Sequence, residues 1–123
     1  MMKRFLSAAF MFVIAMLSLS VASASTTLEY DAKCQYTNAK KVLTYSGNCH
    51  FNWGVGMLPD PDNDSYERYI MTFPNGNEVW IYIYANRSAT VNDITAESVN
   101  TKKGYRKVKT IQGEIFEFTK GSE

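Results

Sequence analysis

The residues of this chain best suited to chemistry are two cysteines about 15 positions apart, Cys34 and Cys49, a single histidine, His50, and three alternating aspartates, Asp60, Asp62 and Asp64. The cysteines match no zinc pattern, because one histidine and a long gap between thiols do not supply closely spaced ligand pairs. Oxidation to a disulfide is the expectation, and closing a loop of this length is worth about 3 kcal/mol on the chain-entropy account. A bonded pair also removes the thiolate that a catalytic cysteine needs. His50 would act as a general base only beside a nucleophile or an orienting carboxylate, and no sign of one stands in the sequence. The segment Asp60-Pro61-Asp62-Asn63-Asp64-Ser65 spaces its carboxylates like the opening of a calcium loop. That pattern also asks for glycine at its sixth position and glutamate at its twelfth, where this chain has Ser65 and Met71. It is a weak calcium candidate, set against the plainer reading of a solvated acidic loop stiffened by Pro59 and Pro61. Glycine-rich phosphate loops, nucleophile elbows and metal-binding histidine pairs are absent. The chain therefore reads as non-catalytic, with no cofactor.

Compartment supports the disulfide. Lys3 and Arg4 precede an apolar run from Phe5 to Val21, and Ala22-Ser23-Ala24 follows. A basic start, an apolar core and small residues at the end form an export signal. Residues 1–24 are thus expected to be cleaved, leaving one exported domain over 25–123 that is periplasmic or secreted; the short leader reads as bacterial. The run is at the short end of what crosses a bilayer, no later stretch is apolar enough to span one, and Ser25 offers no thiol for a lipid anchor. Removing Lys3 and Arg4 leaves 13 − 2 = 11 basic residues against 12 acidic ones, a net charge of −1. That balance argues against nonspecific nucleic-acid binding, which depends on an excess of cations.

The elements that must position these residues are strands. Leu28, Tyr30, Ala32, Cys34 and Tyr36 alternate with Glu29, Asp31, Lys33 and Gln35, and the period of two resumes from Leu43 to Trp53. Both cysteines fall on the apolar face. A simple hairpin through residues 37–40 would set Cys34 opposite Leu43, about 20 Å of strand from Cys49, so a disulfide requires a corner at Ser46-Gly47-Asn48. Asn75-Gly76 signals a two-residue hairpin turn, which pairs Ile70 with Ile81 on one face and Met71 with Trp80, and Tyr69 with Tyr82, on the other. A third hairpin closing at Gly113 pairs Val108 with Phe116 and Lys107 with Glu117. Residues 92–99 fit either a short helix capped by Asn92 or a turn at Asn92-Asp93 between strands. The expected fold is all-β, with at most one short helix near 92–99: a small antiparallel sandwich or partly closed barrel.

Two surfaces are candidates for recognition. Tyr69, Trp80, Tyr82 and Tyr84, with Met71 and Phe73, make an aromatic face that is either the second side of the core or, at its rim, a binding patch. Lys102, Lys103, Arg106, Lys107 and Lys109 crowd into eight residues and suit an acidic partner. The general type resembles small exported bacterial β proteins with one disulfide, among them lysozyme inhibitors and immunity proteins against periplasmic toxins. That resemblance implies a protein partner outside the cytoplasm, with an envelope glycan or lipid as the alternative and a small hydrolase as the least favoured reading.

Overall fold

A computed structural model describes residues 27–121, so the expected leader, residues 1–24, lies outside the described residues. Eight strands follow in chain order: β1 Thr27–Thr37, β2 Leu43–Met57, β3 Ser65–Thr72, β4 Glu78–Tyr84, β5 Ser88–Val91, β6 Ile94–Ser98, β7 Tyr105–Thr110 and β8 Ile115–Thr119. Each pairs antiparallel with the next, and β8 returns to pair with β1, so the sheet closes into a barrel. Closure pairs both sides of β1 over Cys34–Thr37, while Thr27–Lys33 pair with β2 alone. The all-β expectation holds, and full closure replaces the sandwich alternative. Residues 92–99 are turn and strand rather than helix. Asn92 and Asp93 both take positive φ, 48° and 67°, in a two-residue turn, and Val91 pairs with Ile94. Asparagine and aspartate tolerate that region better than other non-glycine residues. Among the described residues no helix is long and apolar enough to cross a membrane.

Turn chemistry sets the registers. The first turn spans residues 38–42, where Asn38 Oδ1 accepts hydrogen bonds from the backbone N–H groups of Lys40 and Val42. This longer turn places Cys34 opposite Gly47 and Ala32 opposite Cys49. The cysteines become diagonal neighbours, bonded with Cα atoms 5.8 Å apart. The corner expected at Ser46-Gly47-Asn48 does not exist: the β1–β2 ladder is regular there, and its one irregularity lies between Tyr36 and Thr37. Gly47 instead makes room for a ring. A Cβ at that position would sit 2.6 Å from the Tyr45 hydroxyl, which donates to the Asn48 carbonyl at 2.8 Å.

The Asn-Gly hairpin is offset by one residue from the two-residue-turn register. Proline has no N–H, so Pro74 cannot complete the doubly hydrogen-bonded pair that closes a two-residue turn. The closing pair moves out to Phe73 and Asn77, around the three-residue loop Pro74-Asn75-Gly76, with Gly76 at φ 90°. Tyr69 therefore pairs with Ile81, Ile70 with Trp80 and Met71 with Val79. A one-residue slip exchanges the faces, and the single aromatic face divides. Tyr69 and Met71 turn inward with Val79, Ile81 and Ile83; Trp80, Tyr82 and Tyr84 turn outward. The last hairpin has the expected register, Val108 opposite Phe116 and Lys107 opposite Glu117.

Eight strands leave an interior just wide enough for side chains or one small ligand. Here the middle is filled: Phe51, Tyr69, Met71, Ile81, Val108 and Phe118 are fully buried. Phe118 packs against Phe51 and Tyr69 at ring separations of 5.8 and 4.7 Å. Within the barrel, only the two ends remain open.

Candidate functional site

On the outside of β3 and β4, tyrosines line up without any duty to the core. Tyr66 lies 5.6 Å from Tyr82 and 6.0 Å from Tyr84, and Tyr82 stacks with Tyr84 at 6.5 Å. Gly56 of β2 lets Tyr66 lie flat across the neighbouring strand, since a Cβ there would come within 2.3 Å of the ring. Trp80 continues the strip with 41% of its surface exposed, and Met57, 78% exposed, lines a recess with Tyr66 and Tyr84. Of the residues singled out in the sequence, Trp80, Tyr82 and Tyr84 thus share one outer surface. Tyr69 does not belong with them. It is fully buried, donates to Glu67 at 3.0 Å and accepts from the Gly121 N–H at 3.1 Å. Burial, with the Glu67 charge beside it, pushes its hydroxyl pKa far up, so it stays a neutral donor.

Arg106 also leaves the expected surface. It points into the barrel from β7, and its Nε and Nη2 donate to the two Glu67 oxygens, each at 2.9 Å. Strands β3 and β7 are not ladder neighbours, so this bidentate pair ties opposite walls together. The carboxylate raises the Arg106 pKa further, and its charge is spent inside. Lys102 and Lys103 remain exposed in the turn before β7, with the Lys102 ammonium 4.3 Å above the Tyr105 ring. They rim a recess of about 270 Å³ together with Arg87, Lys107 and Lys120. Arg87 is held in place by bonds from its Nη2 to Asn100 Oδ1 and the Ser98 carbonyl. A second recess, about 340 Å³, shares Arg87, Ser98 and Arg106 with the first and is walled by Met57, Tyr66 and Tyr84. The aromatic strip therefore runs directly into a cationic rim.

His50 sits on the outer face of β2, flanked by two acids of β1. Its Nδ1 lies 2.8 Å from Asp31 and its Nε2 3.0 Å from Glu29. Hydrogen bonds to Asp31 first, then Glu29, raise its pKa above the ordinary 6.5. The contribution to stability is then full below about pH 6.5 and fades as pH rises through the higher folded-state value. An NMR titration of the His50 ring should show a midpoint above about 6.5 in the native protein; a midpoint at or below that value contradicts the clamp.

The acidic loop stays local. Asp60 Oδ1 accepts from the Asp62 N–H at 2.9 Å in a side-chain turn, and the Asp60 carbonyl accepts from Asn63. Among the described residues no group of three or more His, Cys, Asp or Glu side chains is placed to hold a metal ion, so Asp60, Asp62 and Asp64 are not gathered into a site.

The opposite end of the barrel, where the turns after β1, β3, β5 and β7 gather, opens into a recess of about 740 Å³. Tyr36, Tyr45, Phe73 and Phe116 supply its rings, and Val79, Val91 and Ile94 its aliphatic wall. The Tyr36 hydroxyl donates to Glu114 Oε2 at 2.6 Å, a bond that, with burial, pushes the phenol up to about 12. Sequence reading missed this site, because its walls come from six strands whose registers had to be known first. The detectable signal was the recurrence of an inward aromatic near the same end of β1, β2 and β3. Comparison of the chain with protein-family models, with curated proteins and with solved structures finds no match.

Proposed function

We propose that this chain is a non-catalytic, exported binding protein, periplasmic or secreted, that recognises another protein. The outward strip of Trp80, Tyr82, Tyr84 and Tyr66 carries the reading, because a closed and filled barrel has no structural need for four large aromatics on its exterior. Rigid aromatics offer apolar contact at low entropic cost and dominate binding hot spots. The adjoining Lys102, Lys103 and Arg87 add charge that would steer and orient an acidic partner. Two further observations favour binding over catalysis. Both cysteines are bonded to each other, and both nitrogens of His50 face carboxylates, which leaves neither free to take a proton from a nucleophile.

Capture from an envelope extract of the source cell should compare the wild type with Tyr82→Ala/Lys103→Glu and with Ile111→Ala, a control at the far end of the barrel. One protein should be enriched by the wild type and by Ile111→Ala, and recovered roughly tenfold less by the double variant. Equal recovery by all three overturns the assignment of the strip. Retention on isolated peptidoglycan that depends on Tyr82 would assign the same surface to glycan instead.

A further inference from the structure

We propose that the recess at the mouth of the barrel is a second binding site, specific for a small organic ammonium ion. Three rings form adjoining walls there. Phe73 meets Tyr45 at 5.5 Å with an interplanar angle of 88° and Tyr36 at 6.5 Å with 69°. Rings set nearly at right angles present both faces and edges to a shared space, the arrangement that cages a cation against the negative faces of aromatic rings. The cage is built in rather than incidental. Tyr45 reaches its place only because Gly47 has no Cβ, and its hydroxyl is anchored on the Asn48 carbonyl.

Charge completes the argument. The residues lining the recess include Glu114 and, at its outer rim where it accepts from the Trp80 indole N–H, Glu78, and no Lys, Arg or His. Among the described residues neither acid has a basic partner. Glu114 is instead oriented by the neutral Tyr36 hydroxyl on Oε2, and no described residue donates to its Oε1. A carboxylate held beside three rings without a counter-ion lacks only a cation. A metal ion would find too few oxygen ligands, whereas an alkylammonium group satisfies the carboxylate and the rings together, and its apolar body meets Val79 and Val91. The site is at the opposite end of the barrel from Lys102 and Lys103, and the strip reaches its rim only at Trp80, which donates its indole N–H to Glu78 at 3.3 Å and its backbone N–H to Asn92 Oδ1 at 2.9 Å.

The test uses choline as probe and its uncharged isostere, 3,3-dimethylbutan-1-ol, with methyl NMR shifts of Val79 and Val91 as readout in the full chain without its leader. Choline should give saturable shifts at those methyls, with the isostere at least roughly tenfold weaker, as expected for a cation held by rings and a carboxylate. Glu114→Gln should weaken choline about tenfold; glutamine keeps the shape and can still accept from Tyr36, so the fold is preserved. Phe73→Leu, which keeps apolar bulk, should weaken it roughly threefold, and Tyr82→Ala should leave it unchanged. Equal binding of probe and isostere, no effect of Glu114→Gln in a folded variant, no saturable shift, or a loss in Tyr82→Ala each overturns the proposal.

Discussion

Tyr69→Ala is expected to destabilise the protein by about 3–5 kcal/mol, the range for deleting a large ring from a core, whereas Tyr82→Ala is expected to cost less than about 1 kcal/mol. The two residues share a type and a hairpin, and in a two-residue-turn register they would face each other. The observed register separates them. Tyr69 is fully buried against Phe118 and hydrogen-bonded to Glu67 and Gly121. Tyr82 stands outside, in contact with Tyr66 and Tyr84. Urea denaturation of both variants measures the difference directly. Similar costs at the two positions would mean that the slip forced by Pro74 is wrong, and the outer strip would lose its basis.

Removal of the disulfide should have the second largest effect. Cys34→Ala/Cys49→Ala is expected to lose about 3 kcal/mol on the chain-entropy account, which for a domain of this size lowers Tm by roughly 12–24 °C. The bond lies beside the short seam that closes the barrel. β1 joins β8 through only four residue pairs, Cys34 with Phe118 to Thr37 with Ile115, and Cys34 belongs to that seam as well as to the bond. Amide exchange in the variant should therefore accelerate first over 35–37 and 115–118. A change in stability below about 1 kcal/mol, or uniform acceleration throughout the barrel, would show that the seam does not depend on the cross-link.

Local features were legible in the sequence wherever chemistry and pattern agreed. Strict alternation around Cys34 and Cys49 placed both on the inner face, and Gly113 set the last hairpin correctly. The errors share one cause, which is register. Asn75-Gly76 drew attention to the turn, but the missing N–H of Pro74 decided it, and that single residue exchanged the faces of β4 relative to β3. The five-residue turn after Thr37 likewise removed any need for a corner at Gly47. Arg106 was read with its basic neighbours because its partner Glu67 is 39 positions away and reaches it only across a closed barrel. No local pattern announces such a contact. The mouth recess was hidden for the same reason, whereas the outer strip was half visible: the aromatic content was plain and its division between the two sides was not.

The claim that the β3–β4 exterior carries recognition is tested most directly by site-specific photo-crosslinking in the source cell. A benzophenone side chain placed at position 82, at position 102 or at position 111 samples the strip, the cationic rim and the opposite end. The account predicts one and the same protein adduct from positions 82 and 102, competed away by excess unlabelled wild type, and none from position 111. Adducts of equal yield from all three positions, or none from 82 and 102, would contradict it.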